Sequence, residues 1–208
     1  MKHAAAQLAL VVLSLSAAAC CATGEVRGDP GPGPIRVIVY SGFGARTDFV
    51  KRAVALANEQ LTSESVALRL TQFTEYDLDH AADRGALRDD DGAQVLATMR
   101  IPREVSIACF MPLFPWDSTD ADSAVGGRSI RINGRMLASD EGGDEVMLPY
   151  WAGTIAHEFS HSAGYEHASQ TARRSVPFVI GRIICEGAGG GAGHAGPCPG
   201  RPVAPSGW

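Results

Sequence analysis

The chain has 208 residues, 45% of them hydrophobic and 20% charged, with 18 basic and 23 acidic side chains and a net charge of −5. That is enough sequence for one globular domain with a real core. The acidic balance, with no basic cluster along the chain, argues against nucleic acid or an anionic membrane surface as a partner.

Residues 1–19 read as an export signal. Lys2 gives a positive start, Leu8 to Leu15 is an apolar run too short to span a bilayer, and Ala17-Ala18-Ala19 precedes Cys20. Small residues before a cysteine resemble a bacterial lipoprotein processing site, which would make Cys20 the lipid-carrying first residue and that lipid the protein's only route to a membrane. Simple secretion after Ala19 and an uncleaved anchor are the alternatives. Residues 20–34 form a tether ending in Asp29-Pro30-Gly31-Pro32-Gly33-Pro34, a composition that resists helix and sheet alike. On this reading no inhibitory prodomain is expected between the signal and the first strand. The folded domain is expected over 35–186, followed by a Gly/Pro-rich tail at 187–208.

Ile35 to Tyr40 is β-branched and nearly all apolar, which predicts a central strand of a covered sheet. A helix capped by Thr47 or Asp48 follows to Leu61, with Phe49, Val50, Ala53, Val54, Ala57 and Leu61 at helical spacing. Val66 to Phe73 alternates apolar and polar residues and predicts a second strand, giving an initial β-α-β unit with a right-handed crossover. Asp77 to Gly92 is polar and ends in Asp89-Asp90-Asp91-Gly92, which reads as a solvated turn and helix cap; the spaced oxygens of a calcium loop are absent. A helix from Ala93 to Met99 leads to a strand over Val105 to Phe110. Met111 to Trp116, broken by two prolines, is irregular. Ser129 to Asn133 has strand character, edge or interior. The acidic runs Asp117 to Asp122 and Asp140 to Glu145 are expected to face water.

The chemistry lies in His157-Glu158-Phe159-Ser160-His161-Ser162-Ala163-Gly164-Tyr165-Glu166-His167. A four-residue step on a helix turns about 40° past one revolution, so His157 and His161 project from one face and can bind one cation. Glu158 is rotated by about 100°, badly placed as a ligand but well placed to take a proton from a water beside the metal. Gly164 can adopt the left-handed conformation that ends a helix, so His167 can return to the same ion. Trp151, Ala152, Ile155 and Phe159 make an apolar stripe from which His157 and His161 point away. Ser175 and Pro177 then start a helix through Ile184 that should pack under the metal.

HExxHxxGxxH, here His157, Glu158, His161, Gly164 and His167, resembles the zinc-binding signature of the metzincin clan of metallopeptidases. The resemblance implies an α+β fold with a twisted mixed sheet of four to five strands, a backing helix, an active-site helix and a small irregular C-terminal part. It also implies zinc on His157, His161 and His167, Glu158 as general base, and a peptide or protein substrate. The substrate would lie extended along an edge strand, with Phe114 and Trp116 as candidates for lining its pockets. One element departs from the clan pattern. All five methionines (Met1, Met99, Met111, Met136, Met147) precede His157, so the methionine that clan members place beneath the metal is missing. Phe178 or Val179 stands where that apolar floor would be.

The expected activity is that of an exported zinc metalloendopeptidase. The alternatives are a non-catalytic zinc-binding lipoprotein and a metal-dependent hydrolase of a non-protein, cell-wall type amide. Of the remaining cysteines, Cys185 and Cys198 flank a glycine-rich loop that a disulfide could close, while Cys21 and Cys109 have no evident partner.

Overall fold

β-Branched runs set the sheet. In the structure, a computed structural model that describes residues 21–73, 92–114, 119–138, 143–167, 175–190 and Cys198, five strands form one mixed sheet. They are β1 (Glu25–Arg27), β2 (Ile35–Ser41), β3 (Arg103–Phe110), β4 (Ala121–Ser123) and β5 (Ser129–Asn133). Their order is β1-β2-β3-β5-β4. The three central strands run parallel, and β1 and β4 close the edges antiparallel to them. Ser129 to Asn133 is therefore an interior strand.

Six helices accompany the sheet among the described residues: α1 (Thr47–Thr62), α2 (Glu64–Gln72), α3 (Gly92–Met99), α4 (Gly134–Ala138), α5 (Asp144–Ser162) and α6 (Val176–Gly187). The mixed α+β class expected from the sequence is the class found. Val105, Ile107, Ile130 and Ile132 bury against Phe49, Val54, Trp151, Ile155, Phe159 and Ile180 in one core. The covered-sheet reading of β2 holds for one face only, because Ile38 is 42% exposed on the other.

The second predicted strand, Val66 to Phe73, is instead helix α2. Ser63 caps it, its Oγ accepting from the Val66 N–H at 3.3 Å, and Glu64 sits in the first turn. Both favour helix. Val66 and Leu70, four apart, are buried, whereas Leu68, which an alternating strand would have turned inward, is 57% exposed. The parallel partner of β2 is thus β3, reached through α1, α2 and α3. Leu70→Ala should cost about 2–5 kcal/mol in urea unfolding and Leu68→Ala no more than about 0.5 kcal/mol; equal losses would restore the strand reading.

Other expectations need correction. No side chain caps α1; the chain enters it from a 3-10 turn at Gly44–Arg46, and Thr47 Oγ donates to the Gly44 carbonyl instead. The spacer is not free of sheet structure, since Glu25–Arg27 pairs with β2, and Gly28 N and Gly42 N continue the contact to Ile38 O and Gly24 O. Gly28 passes so close to Val37 O that any Cβ would collide with it. Cys21, read as unpartnered, is bonded to Cys109, while the Cys185–Cys198 bridge forms as expected. Asp144 and Glu145 do face water, as expected, and make surface ion pairs with Arg46 and Arg52, while Asp122 pairs with Arg131.

The largest correction concerns α5. Its sequence suggests one packing stripe, yet every residue from Trp151 to Ser162 is buried. The polar side fails to meet solvent because it faces the edge of the sheet and the chain returning from Gly164. Gly153 lets α6 approach on another side, where a Cβ would stand 2.5 Å from Gly181 O. The readings of residues 1–20, of Asp77 to Asp91, of Trp116 and of most of the tail lie outside the described residues. No described helix is long and apolar enough to cross a membrane.

Candidate metal centre

The site is assembled by the last turns of α5 and the reversal after it. His157 and His161 stack one turn apart, with ring centroids 5.3 Å from each other. Gly164, at φ +102°, ends the helix in a conformation that side chains resist. The Tyr165 N–H returns to Ser160 O at 3.1 Å. That reversal brings His167 Nε2 to 3.3 Å from His157 Nε2 and 3.1 Å from His161 Nε2. Two nitrogens bound tetrahedrally to one zinc at about 2.0–2.1 Å are separated by about 3.3 Å. His167 thus stands from each of the other two ligands at about the spacing that one ion imposes, and all three ligand atoms lie within 4.8 Å of one another.

The protonation states agree with a ligand role. His161 Nδ1 lies 2.7 Å from Tyr165 O, which fixes the proton on Nδ1 and leaves the Nε2 lone pair facing the other rings. Burial, followed by the charges of His161 and His167, holds His157 well below the usual imidazole range. Burial also lowers His161, opposed by the Tyr165 carbonyl and Glu166. Neutral imidazoles are what a cation needs. His167 is exposed, so the centre opens on one side.

Phe178, the first of the two residues proposed for the floor, lies against two of the ligands. Its ring centroid is 4.7 Å from that of His157, edge-on, and 4.8 Å from that of His167. An aromatic ring delivered by α6 therefore packs against two of the three histidines. Val179 is fully buried in the core.

Glu158 is beside the ligands, not among them. Its Oε1 is 3.8 Å from His157 Nε2, and the residue is 6% exposed. Ser123 Oγ lies 2.8 Å from Oε2 and 2.9 Å from the Glu158 carbonyl, so a hydroxyl on β4 holds the far oxygen. Burial pushes the carboxyl up to about 7; the Ser123 hydrogen bond opposes this, and the charges of Asp122 and Asp120 add to it. Asp120 is itself fixed by the Tyr150 hydroxyl from α5.

A cleft of about 490 Å³ runs past these groups, lined by Thr119, Ala121, Asp122, Ser123 and Val125 on one side and Glu158, His161, Glu166 and His167 on the other. Phe114 is half exposed and does not line it. A larger hollow of about 650 Å³ lies between β1, β2 and α1, away from the metal ligands. Sequence reading missed Ser123, Asp120 and Tyr150, whose roles depend on which strand forms the sheet edge. No protein-family model, curated protein or solved structure matches this chain.

Proposed function

We propose that this chain is an exported zinc-dependent hydrolase of metzincin type that cleaves peptide bonds, with His157, His161 and His167 as metal ligands and Glu158 as general base. The observation that carries this reading is the meeting of three imidazole nitrogens beside a buried carboxylate that is not one of the ligands. A structural site needs no such carboxylate. Zinc held there supplies Lewis acidity, polarising a carbonyl and lowering the pKa of a water toward about 7.

The chain's own groups supply the remaining chemistry. Glu158 Oε1 accepts the proton of the attacking water and returns it to the departing amine nitrogen. Burial raises the carboxyl and a cation on the histidines would lower it, so the two influences oppose each other at the group that moves the proton. Ser123 keeps Oε2 occupied, so the carboxylate does not swing away. The outer edge of β4 ends the sheet, and an extended substrate backbone can add to it with its scissile bond near the histidines. The two disulfides favour an oxidising, extracytoplasmic setting. If Cys20 carries a lipid, the Cys21–Cys109 bond leaves a leash of a single residue between lipid and domain.

The reading is tested by offering the zinc-loaded protein a broad peptide library and mapping products by mass spectrometry. Cleavage that stops on chelation and returns with zinc is expected. A fully zinc-loaded protein that cleaves nothing would replace this reading with a zinc-binding module or a hydrolase of non-protein amides.

A further inference from the structure

The turn between β4 and β5 separates the metal cleft from a second hollow, of about 460 Å³. Val125 faces the cleft, while Gly126 and Gly127 line the hollow. Three arginines reach the hollow: Arg36 from the start of β2, Arg103 from the start of β3 and Arg128 just before β5. Glu104 is the one carboxylate in its lining, so two positive charges stand in excess. These residues are scattered in sequence, and no basic run announces them. The parallel register gathers them, because it aligns the beginnings of the three strands.

Most arginines among the described residues already have partners. Arg46, Arg52, Arg69 and Arg131 pair with carboxylates, and Arg100 and Arg135 donate to carbonyls. Arg103 gives Nη1 to Thr98 O and Ile101 O. Arg36 and Arg128 are in no ion pair among the described residues. Arg36 Nε and Ser162 Oγ, both bordering the hollow, are buried without a hydrogen-bond partner. The last carbonyls of α5 do not need the arginines. His161 O accepts from Gly126 N and Gly164 N, Ser160 O from Ala163 N and Tyr165 N, and Phe159 O from Ala163 N.

We propose that Arg36, Arg103 and Arg128 form an oxyanion-binding site. Guanidinium forks match the planar, paired oxygens of carboxylate, sulfate or phosphate groups, and a buried Nε without an acceptor gains one when such a group arrives. The ligand's charge has two sources: a free inorganic oxyanion, or the terminal carboxylate of the chain held in the metal cleft. A shallow hollow connects the two sites along the outside of β4 and β5, sharing Asp122 and Ser123 with the cleft and Gly127 and Arg128 with the arginine pocket. The substrate-end arm rests on the proposed hydrolase; the free-ion arm does not.

Calorimetry on the zinc-loaded full chain, at constant ionic strength, tests this with sulfate and with a short acetylated peptide carrying either a free carboxylate or an amide at its end. Sulfate should bind saturably, at least tenfold more weakly in Arg36→Gln and Arg128→Gln, and unchanged in Arg182→Gln. Arg128 is exposed, so its variant keeps the fold even where Arg36→Gln does not. A preference for the carboxylate peptide over its amide that disappears in Arg128→Gln assigns the substrate end, and equal binding of the two peptides beside Arg128-dependent sulfate binding assigns a free ion. If neither sulfate nor the carboxylate peptide is sensitive to Arg128, the proposal is overturned. A protein that cleaves no peptide yet binds sulfate through Arg128 loses the hydrolase and keeps this site.

Discussion

Replacing Glu158 by Gln should leave zinc in place and lower turnover of any peptide the protein cleaves by about 10²- to 10⁴-fold. The substitution is nearly isosteric. Its amide oxygen can still accept from Ser123, which sits 2.8 Å from the native Oε2, so the side chain keeps its position. What disappears is the ability to take a proton. Zinc stays because the three histidines form the metal group and the nearer carboxylate oxygen stands 3.8 Å from His157 Nε2. Metal content by mass spectrometry together with kcat and KM on the same samples reads both halves. Undiminished kcat would move the general base elsewhere, and loss of zinc would make Glu158 a ligand.

The second large effect is on stability. Cys21 and Cys109 are 88 residues apart, against 13 for Cys185 and Cys198. In the chain-entropy account a cross-link restricts the unfolded chain more as the loop lengthens, about 4–5 kcal/mol for the first bridge and about 3 kcal/mol for the second. Converting Cys21 and Cys109 together to Ser should therefore lower the urea unfolding free energy by about 4 kcal/mol, more than the same change at Cys185 and Cys198. The bond also fixes β1, since the chain moves directly from Cys21 to Glu25 at the sheet edge. An unchanged midpoint in the double Ser variant under oxidising conditions would show that the bridge does not form in solution.

The metal centre could be read from sequence because its geometry is local. A helical repeat places His157 over His161, one glycine makes the reversal, and His167 follows three residues later, so eleven residues encode three converging rings. Phe178 was legible by position, lying just beyond the site at the start of an apolar helix. Ser123 was not. It lies 35 residues from Glu158 in an acidic stretch, and only the register Ser123↔Ile130 brings it to α5. The Cys21–Cys109 bond was hidden for the same reason, set by the sheet rather than by spacing.

The fold was misread where two periodicities share positions. Val66 and Leu70 are inward in a strand and in a helix alike, so the decision fell to Leu68 and to the cap at Ser63, and both belong to the helix. On α5 the apolar stripe marks only one of the buried sides, because burial of polar residues leaves no hydropathy pattern. Ser160 Oγ donates to the His157 carbonyl, His161 Nδ1 meets Tyr165 O, and Phe178 stands edge-on to His157, so this side of the helix is buried by contacts that hydropathy does not report.

X-ray absorption at the zinc edge of the purified, metal-loaded protein tests the centre most directly. One zinc per chain is expected, with three imidazole nitrogens at about 2.0–2.1 Å and a light atom completing the shell, and with the signal lost in His161→Ala. A sulfur neighbour at about 2.3 Å, or zinc retained unchanged by His161→Ala, would contradict the three-histidine centre.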